Sequence, residues 1–293
     1  MAREAAGDLA EGIADLHVHT VASDGTQTVA ELVSAAARVG LRVVAVTDHE
    51  AISDELRATS QRINGVEVVA GVELKADFDG VLGEILGLFV DPASPKLKRL
   101  LATWREARRE RMAAMVRKCR ERLNISIEPQ ALQRSGDGSV GRPHLARLLV
   151  ERGVVSSERE AFDRYIGNDG PCYVPLPRPP YRLVVSALHR AGGIASLAHP
   201  CFMTPPDWAR FLSELAESGV DAIEGYYSYV NLEAGRADEE RLRRLARERG
   251  MLLSGGSDHH GPGSSRDVLG SVRLAARDVD ALRGACRRTE KPQ

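Results

Sequence analysis

The sequence predicts a fold of the α/β class, in which helices cover a parallel sheet or barrel. Seven short runs rich in Val, Ile and Leu are bounded by Gly, Asp or Pro, as buried strands are. Helical patterns lie between many of these runs. Strands that are apolar on both faces and alternate with helices are typical of a parallel sheet that is covered on both sides.

The predicted strands are spread over both ends of the chain. They are Ile13–His17, Arg42–Thr47, Val66–Val72, Glu84–Val90, Gly193–Leu197, Ala222–Tyr226 and Met251–Ser254. The helices predicted among them are Thr28–Val39, Leu183–Arg190, Pro206–Gly219 and Glu233–Gly250. The first of these helices is followed by Gly40, a residue type that commonly ends helices.

The middle of the chain departs from this alternation. From Pro95 to about Arg182 the pattern predicts helices and loops but no strand, and the proline-rich stretch Tyr173–Tyr181 is expected to be extended. One long helix carries apolar residues on one side, and its other faces are crowded with Arg and Glu. A solvated face is the expected reading of this charge, and a nucleic-acid contact surface is the alternative. The apolar side comprises Trp104, Met112, Met115, Val116, Cys119 and Leu123.

We therefore predict a barrel that is interrupted by a small helical insert. Residues 1–97 form its first part, residues 98–182 the insert and residues 183–293 its second part.

Composition narrows the class of protein. The 293 residues carry 40 Lys and Arg against 41 Asp and Glu, so the net charge of −1 excludes general attraction to nucleic acid or acidic membranes. No apolar run approaches the ~18 residues of a membrane span, and no secretion signal is recognisable. The four cysteines are scattered, as is usual in a reducing compartment. We expect a cytoplasmic protein without membrane contact and without an obligate protein partner.

Histidines and acids gather where predicted strands end. In parallel barrels the loops after the strands converge on one face, so residues distant in sequence meet there. The histidines in such positions are His17, His19, His49, His199, His259 and His260. The acids beside them are Asp15, Asp24, Asp48, Glu73 and Asp258.

The spacing within these clusters suits metal binding. His17 and His19 lie two apart on an extended chain, as do Asp258 and His260, so each pair points the same way. Imidazole and carboxylate together favour zinc, manganese or iron. The donors exceed what one ion needs, which predicts two or three ions with bridging carboxylates. Asp15 and Asp48 could instead orient an imidazole, and His189, inside a helix, is expected to serve packing.

Five ordered motifs, DLHVHT…SDGT, VTDH, GVEL, LAHP and GSDHHG, resemble those of the PHP (polymerase and histidinol phosphatase) superfamily. The resemblance implies a distorted (β/α)7 barrel of the PHP type, here with the small inserted, mainly helical domain. It also implies two or three divalent ions at the C-terminal mouth, for which we expect Mn²⁺, with Zn²⁺ or Fe²⁺ as alternatives. The ligands carried over by motif are His17, His19, Asp24, His49, Glu73, His199, Asp258 and His260.

One position departs from the family pattern. Relatives usually carry a histidine in a pattern like HILG, where this chain has Glu84-Ile85-Leu86-Gly87. A carboxylate can also bind a metal, so Glu84 joins the candidate ligands, and whether a third ion binds depends on it. No metal role is carried over to His259.

The segment Gly141–Ala146, GRPHLA, resembles a subgroup that acts on nucleoside 3′,5′-bisphosphates and 5′-phosphorylated short RNA. This resemblance predicts a hydrolase of phosphate esters that uses a metal-bound hydroxide on a small nucleotide or short RNA. His199, Asp258 and Glu73 are the candidate catalytic residues, with Glu73 as the bridging carboxylate.

The same segment supplies candidates for phosphate binding. A helix over Pro143–Arg152 would open with free N–H groups, Arg142 could fork onto a phosphate, and His144 could donate a hydrogen bond or a proton. The alternative is an ordinary helix start with a surface arginine. Candidates chosen only for their nearness to motifs are Lys75, Arg178 and Arg266.

Three other functions stay open. The first is a histidinol-phosphate-type phosphatase for small metabolites, against which the helical insert argues because it could close over a larger substrate. The second is a hydrolytic deaminase, which also uses a His-x-His barrel but would give the phosphate-binding segment GRPH no role. A nucleic-acid-binding module with a structural metal is the third, although closed structural zinc sites have four ligands.

Overall fold

The computed structural model describes residues 12–123, 140–228 and 238–289 of the chain. Eight strands within these ranges form one sheet. In chain order they are β1 (Ala14–Val18), β2 (Val43–Val46), β3 (Ser60–Ile63), β4 (Val66–Phe78), β5 (Val81–Leu88), β6 (Ile194–Leu197), β7 (Ala222–Tyr227) and β8 (Leu252–Gly256).

Helices surround the sheet and form the middle of the chain. They are α1 (Val29–Arg38), α2 (Pro95–Leu123), α3 (Arg142–Glu151), α4 (Glu158–Ala161), α5 (Tyr181–Arg190), α6 (Trp208–Glu217), α7 (Glu239–Glu248) and α8 (Ala276–Thr289). The predicted helix over residues 233–250 begins in residues 229–237, which lie outside the described residues, and its described part is α7. None of the helices in the described ranges combines the length and apolarity that a membrane span requires.

The sheet is a nearly closed, distorted barrel with strand order β1-β2-β4-β5-β6-β7-β8. The ends of the sheet meet where the Asp258 N–H donates to the His17 carbonyl at 2.8 Å and the His19 N–H donates to the His259 carbonyl at 2.8 Å. The prediction of a distorted α/β barrel is therefore confirmed. The expectation of a uniformly parallel sheet is wrong, because β5 runs antiparallel to both β4 and β6.

Two tight hairpins account for the antiparallel pairs on β4. Strand β3, which the sequence analysis did not predict, turns into β4 through Asn64–Gly65, and β4 turns into β5 through Asp79–Gly80. All four turn residues have positive φ, between 47° and 100°. Two-residue turns of this kind match the twist of the paired strands. The second hairpin brings the start of β5 to the rim where β4 carries its acidic residues.

Apolar side chains form separate clusters in the barrel and in the helical region. The first residues of α2, Leu97 and Leu101, pack into the main barrel core. Its later residues pack with α3 and the following turns in a cluster that includes Met115, Leu145 and Cys172. Helix α2 therefore connects the two cores. No strand occurs between residues 95 and 182 in the part of this segment that the structure describes.

Gly256 allows β8 to lie directly against β1. A Cβ atom on Gly256 would stand 2.4 Å from both the Cβ and the backbone nitrogen of His17. We expect Gly256→Ala to lower the free energy of unfolding by about 1–3 kcal/mol through overpacking, measured by denaturant titration. Gly284→Ala is the control, since its Cβ would meet nothing within 4 Å and alanine stabilises helix interiors by roughly 0.5–1 kcal/mol. Equal stabilities for the two variants would contradict this prediction.

Candidate metal centre

The candidate ligands come from the rim of the barrel at which the parallel strands end. His17 and His19 lie at the end of β1, and Glu73 lies on β4, which continues past the rim. Glu84 reaches the same place from the start of β5 because that strand runs in the opposite direction. The remaining candidates follow β2, β6 and β8 or lie in the loop after β1, and they are Asp24, His49, His199, Asp258 and His260.

The innermost group is built on the two histidines of β1. The Nε2 atoms of His17 and His19 face each other at 3.2 Å. Asp258 Oδ1 lies 3.4 Å from the first and 3.1 Å from the second. Glu73 Oε2 lies 3.5 and 3.3 Å from the same two atoms. Two ring nitrogens and two carboxylate oxygens thus converge on one point.

A second group surrounds Asp24. Its Oδ1 atom lies 3.4 Å from His260 Nε2 and 3.7 Å from His19 Nδ1, and its Oδ2 atom lies 3.7 Å from His49 Nε2. One ligand atom from each of these four residues falls within 4.8 Å of all the others.

A third group contains His49, Glu73 and Glu84. Glu73 Oε2 lies 3.0 Å from His49 Nδ1, and Glu73 Oε1 lies 2.7 Å from His199 Nε2. Glu84 Oε2 lies 3.3 Å from the same His199 nitrogen. Glu73 therefore belongs to two of the three groups, which is the position of a bridging carboxylate.

The electrostatics of this mouth favour positive charge. Burial would lower the pKa of His19, but hydrogen bonds to Asp258 and Glu73 raise it to about 10. Burial would raise the pKa of Asp24, Glu73 and Asp258, yet the surrounding imidazoles hold each pKa well below its usual range. The carboxylates therefore stay ionised, and a cation among them offsets their repulsion.

The donor set fits divalent cations. Imidazole nitrogens and carboxylate oxygens are ligands that Zn²⁺, Mn²⁺ and Fe²⁺ share. His49 Nδ1 is buried, and its 3.0 Å contact with Glu73 Oε2 does not have the geometry of a hydrogen bond. A metal ion would satisfy this nitrogen as well as the facing Nε2 atoms of His17 and His19.

Sequence reasoning missed the carboxylate that orients His17. Glu224 on β7 is buried, and its Oε1 atom lies 3.0 Å from His17 Nδ1. Its Oε2 atom accepts the backbone N–H of His199 at 2.7 Å. A carboxylate behind an imidazole fixes the tautomer and directs the other ring nitrogen. The sequence gives only a weak signal, an acid in the middle of an apolar strand.

We expect Glu224→Gln to weaken metal binding about tenfold, since the amide keeps the shape of the carboxylate but not its charge. The measurement is a Mn²⁺ titration of the metal-free protein by calorimetry. Asp221→Asn is the matched control, because Asp221 Oδ2 contacts His189 Nε2 at 2.7 Å at the start of β7, away from the ligands. Unchanged Mn²⁺ affinity in Glu224→Gln would contradict the role of Glu224.

The sequence left open whether Asp15 and Asp48 bind metal or orient an imidazole. In the structure both accept hydrogen bonds from loop residues. Asp48 accepts hydrogen bonds from the Thr20 N–H and hydroxyl and from the Ser23 hydroxyl. Asp15 accepts from the hydroxyl and N–H of Ser257 and from the Gly270 N–H. Both aspartates fix the backbone that carries the ligands.

Beside the metal centre lies a cavity of about 340 Å³. Its walls include Asp24 and His49 on one side and positively charged residues of the helical region on the other. Three predicted phosphate-binding residues, Lys75, Arg142 and Arg178, line it.

The other two predicted phosphate-binding residues, His144 and Arg266, are held by protein groups. His144 Nδ1 accepts the Gly141 N–H at 3.0 Å, and burial lowers its pKa. Arg266 Nε lies 3.3 Å from Asp258 Oδ2, and its Nη2 donates to the Ser257 carbonyl at 3.2 Å. Tyr227 donates to the same Asp258 oxygen at 2.7 Å. Arg266 thus orients Asp258, and the phosphate roles of Arg266 and His144 stay predictions.

Two arginines of α2 also line the cavity, although the sequence indicated a solvated face. Arg108 and Arg111 are only 4% and 8% exposed. Arg108 forms a salt bridge with Glu50, and its Nη2 atom has no hydrogen-bond partner among the described residues. Helix α2 carries arginines on all of its polar faces, so the sequence pattern does not distinguish these two buried arginines from the exposed ones.

Comparisons with known proteins agree with the fold and the site described above. A family model described as the PHP domain matches residues 15–163. The chain is 33% identical over 270 residues to a 5′-3′ exoribonuclease of Haemophilus influenzae, covering 88% of this chain and 96% of that protein. It is 31% identical over 268 residues to a 3′,5′-nucleoside bisphosphate phosphatase of Chromobacterium violaceum, covering 87% and 90%. A solved structure assigned as a metal-dependent phosphoesterase of Bifidobacterium adolescentis is similar at a TM-score of 0.79, with 27% identity over 92% of this chain and 95% of that chain.

Proposed function

Because this chain belongs to the PHP-domain family and is a metal-dependent phosphoesterase, we propose that it hydrolyses nucleotides carrying a second anionic group. The substrates we infer are nucleoside 3′,5′-bisphosphates, short 5′-phosphorylated oligoribonucleotides, or both. The observation that carries this proposal is the arginine-lined cavity that opens beside the candidate metal ligands.

Of the four arginines that line this cavity, only Arg108 forms a salt bridge within the described ranges, with Glu50. Arg111 donates to the Val174 carbonyl, Arg142 to the Ile166 carbonyl and the Asn168 amide oxygen, and Arg178 to the Gly83 carbonyl. No carboxylate in the described ranges lies within salt-bridge distance of these three guanidinium groups. Burial and then the nearby Arg142 lower the pKa of Arg111 to about 10. An anion bound between them would offset this repulsion.

Aromatic rings hold two of the guanidinium groups in place. Tyr173 lies under both Arg111 and Arg142, at 5.5 and 5.6 Å from ring centroid to guanidinium carbon. Phe162 lies 5.3 Å from the Arg142 guanidinium carbon. Such contacts orient an arginine without neutralising it, so its N–H groups remain available to a phosphate.

The residues that would hold the metal ions come from the nine candidate ligands predicted from the sequence. When bound, divalent cations lower the pKa of water toward ~7 and offset the charge that develops on phosphorus. Glu73 would bridge two of the groups. Asp258 would be held in position by Tyr227 and Arg266. His199, whose Nε2 faces Glu73 Oε1 at 2.7 Å, would be the third catalytic residue beside Glu73 and Asp258.

A substrate with a single phosphate would leave one half of this arrangement unused. Histidinol phosphate could place its phosphate at the metal ligands, but it offers no second anion to the cavity. We therefore rank it below the nucleotide substrates. Mn²⁺ is the metal we propose, because it suits mixed imidazole and carboxylate ligands and supports phosphoester hydrolysis.

The test is a substrate panel with the Mn²⁺-loaded protein. Adenosine 3′,5′-bisphosphate, a short 5′-phosphorylated RNA and histidinol phosphate are compared by kcat/KM, with released phosphate and 5′-mononucleotides measured separately. We expect at least one of the first two substrates to exceed histidinol phosphate. A preference for histidinol phosphate would overturn the proposal, and the products would distinguish phosphatase from exonuclease activity.

A further inference from the structure

Lys75 and Glu84 form an ion pair at the edge of the metal centre. The Lys75 ammonium contacts Glu84 Oε1, and the two side chains are 21% and 15% exposed. The other carboxylate oxygen of Glu84 faces His199 Nε2 at 3.3 Å. Glu84 is thus a carboxylate with a cation already bound.

The hairpin fixes this pair independently of the metal centre. Starting from the turn at Asp79–Gly80, the register pairs Phe78 with Val81 and, three steps further, Lys75 with Glu84. Directly opposite residues of an antiparallel pair lie on the same face, where opposite charges attract. A tight two-residue turn fixes this register. The ammonium is therefore placed by the backbone.

Glu84 also belongs to the group that it shares with His49 and Glu73. A dication bound to this group would lie next to the Lys75 ammonium, with which it would share a ligand. Among the described residues, one member of the other two groups contacts a lysine or arginine through its side chain: Arg266 contacts Asp258 at its outer oxygen Oδ2. The inner oxygen Oδ1 of Asp258 faces His17 and His19.

We propose that the Lys75 ammonium takes the place of a third divalent ion, so that the ion pair with Glu84 limits the metal centre to two ions. Lys75 also lines the substrate cavity, and an ammonium has three N–H donors. The donors that Glu84 leaves free can therefore face the substrate. This inference rests on the proposed metal centre, and it concerns the number of ions rather than the substrate.

The test is metal stoichiometry. The wild-type protein and variants are stripped with a chelator, loaded with Mn²⁺ and desalted, and Mn²⁺ per chain is measured by elemental analysis. We expect about two ions in the wild type and about three in Lys75→Met, because Glu84 becomes free to bind a dication. Lys75→Arg keeps the positive charge and should retain about two, and Lys75→Met with Glu84→Gln should return to about two.

The outcomes separate this inference from the proposed function. Three ions in the wild type, or two in Lys75→Met, would overturn the inference even if the substrate panel succeeds. A wild-type protein that binds no Mn²⁺ would overturn the metal centre and the inference together. Thermal melting of each variant shows whether the fold is intact. A third ion bound by Lys75→Met requires a folded site, so unfolding cannot produce that gain.

Discussion

Asp258→Ala is expected to lower kcat/KM on the preferred nucleotide at least about 100-fold, because it removes a candidate ligand from the innermost group. Asp258 Oδ1 lies within 3.4 Å of the Nε2 atoms of both His17 and His19. Its loss also leaves the Arg266 guanidinium and the Tyr227 hydroxyl without their carboxylate partner. The measurement is steady-state kinetics with Mn²⁺ supplied, alongside the Mn²⁺ content of each protein.

Two further variants make this result specific. Asp258→Asn keeps a hydrogen-bond acceptor for Tyr227 and thus separates the loss of metal binding from local unfolding. Asp267→Ala removes a carboxylate from the same loop that is 54% exposed and lies 3.6 Å from His259 rather than in the ligand groups. We expect Asp267→Ala to behave as wild type. An Asp258→Ala protein with full activity and full Mn²⁺ content would show that Asp258 is not a ligand.

Removing a cavity arginine should weaken the binding of the anionic group that is not hydrolysed. Arg142→Ala is expected to lower kcat/KM on adenosine 3′,5′-bisphosphate by roughly 10–100-fold, as a lost hydrogen bond to a charged group costs about 1.5–3 kcal/mol. Adenosine monophosphates that lack either the 3′ or the 5′ phosphate are measured in parallel. We expect the variant to lose most of the preference for the bisphosphate over the better of these two monophosphates.

The matched control is Arg164→Ala in the same helical region. Arg164 is 54% exposed, pairs with Glu160 and lies over the Tyr165 ring, outside the residues that line the cavity. This variant should keep the wild-type preference. If Arg142→Ala lowers the activity on all three nucleotides equally, Arg142 supports the fold of the mouth and does not bind the second anion.

Much of the barrel could be predicted because buried strands have a local signature. The seven predicted strands correspond to observed ones, with boundaries that differ by a few residues, most at β4, which continues to Phe78. The antiparallel pairs were missed, although Asn64–Gly65 and Asp79–Gly80 are dipeptides typical of two-residue hairpin turns. Strand β3 was missed because Ser60–Ile63 is polar and partly exposed, and so lacks the apolar pattern.

The candidate ligands could be predicted because they recur in short motifs at the ends of strands. Glu224 could not, because an acid in the middle of a strand acquires its role only when β8 closes the barrel against β1 and the Glu224 side chain of β7 reaches His17. Arg108 and Arg111 could not either, since they occur in a helix with many arginines. Both line the cavity because α2 packs into the barrel core at its start and into the helical region further along.

By itself the sequence determined seven of the eight described strands, the helical pattern of the middle of the chain and the set of candidate metal ligands, because hydrophobic period and strand-end motifs are properties of neighbouring residues. The tertiary structure decided which of these side chains share a ligand group, which carboxylate stands behind His17 and which arginines remain without a counter-ion. Those outcomes depend on distances of a few ångströms between residues far apart in the chain, and such distances are fixed only when the barrel closes and the helical region packs against its mouth.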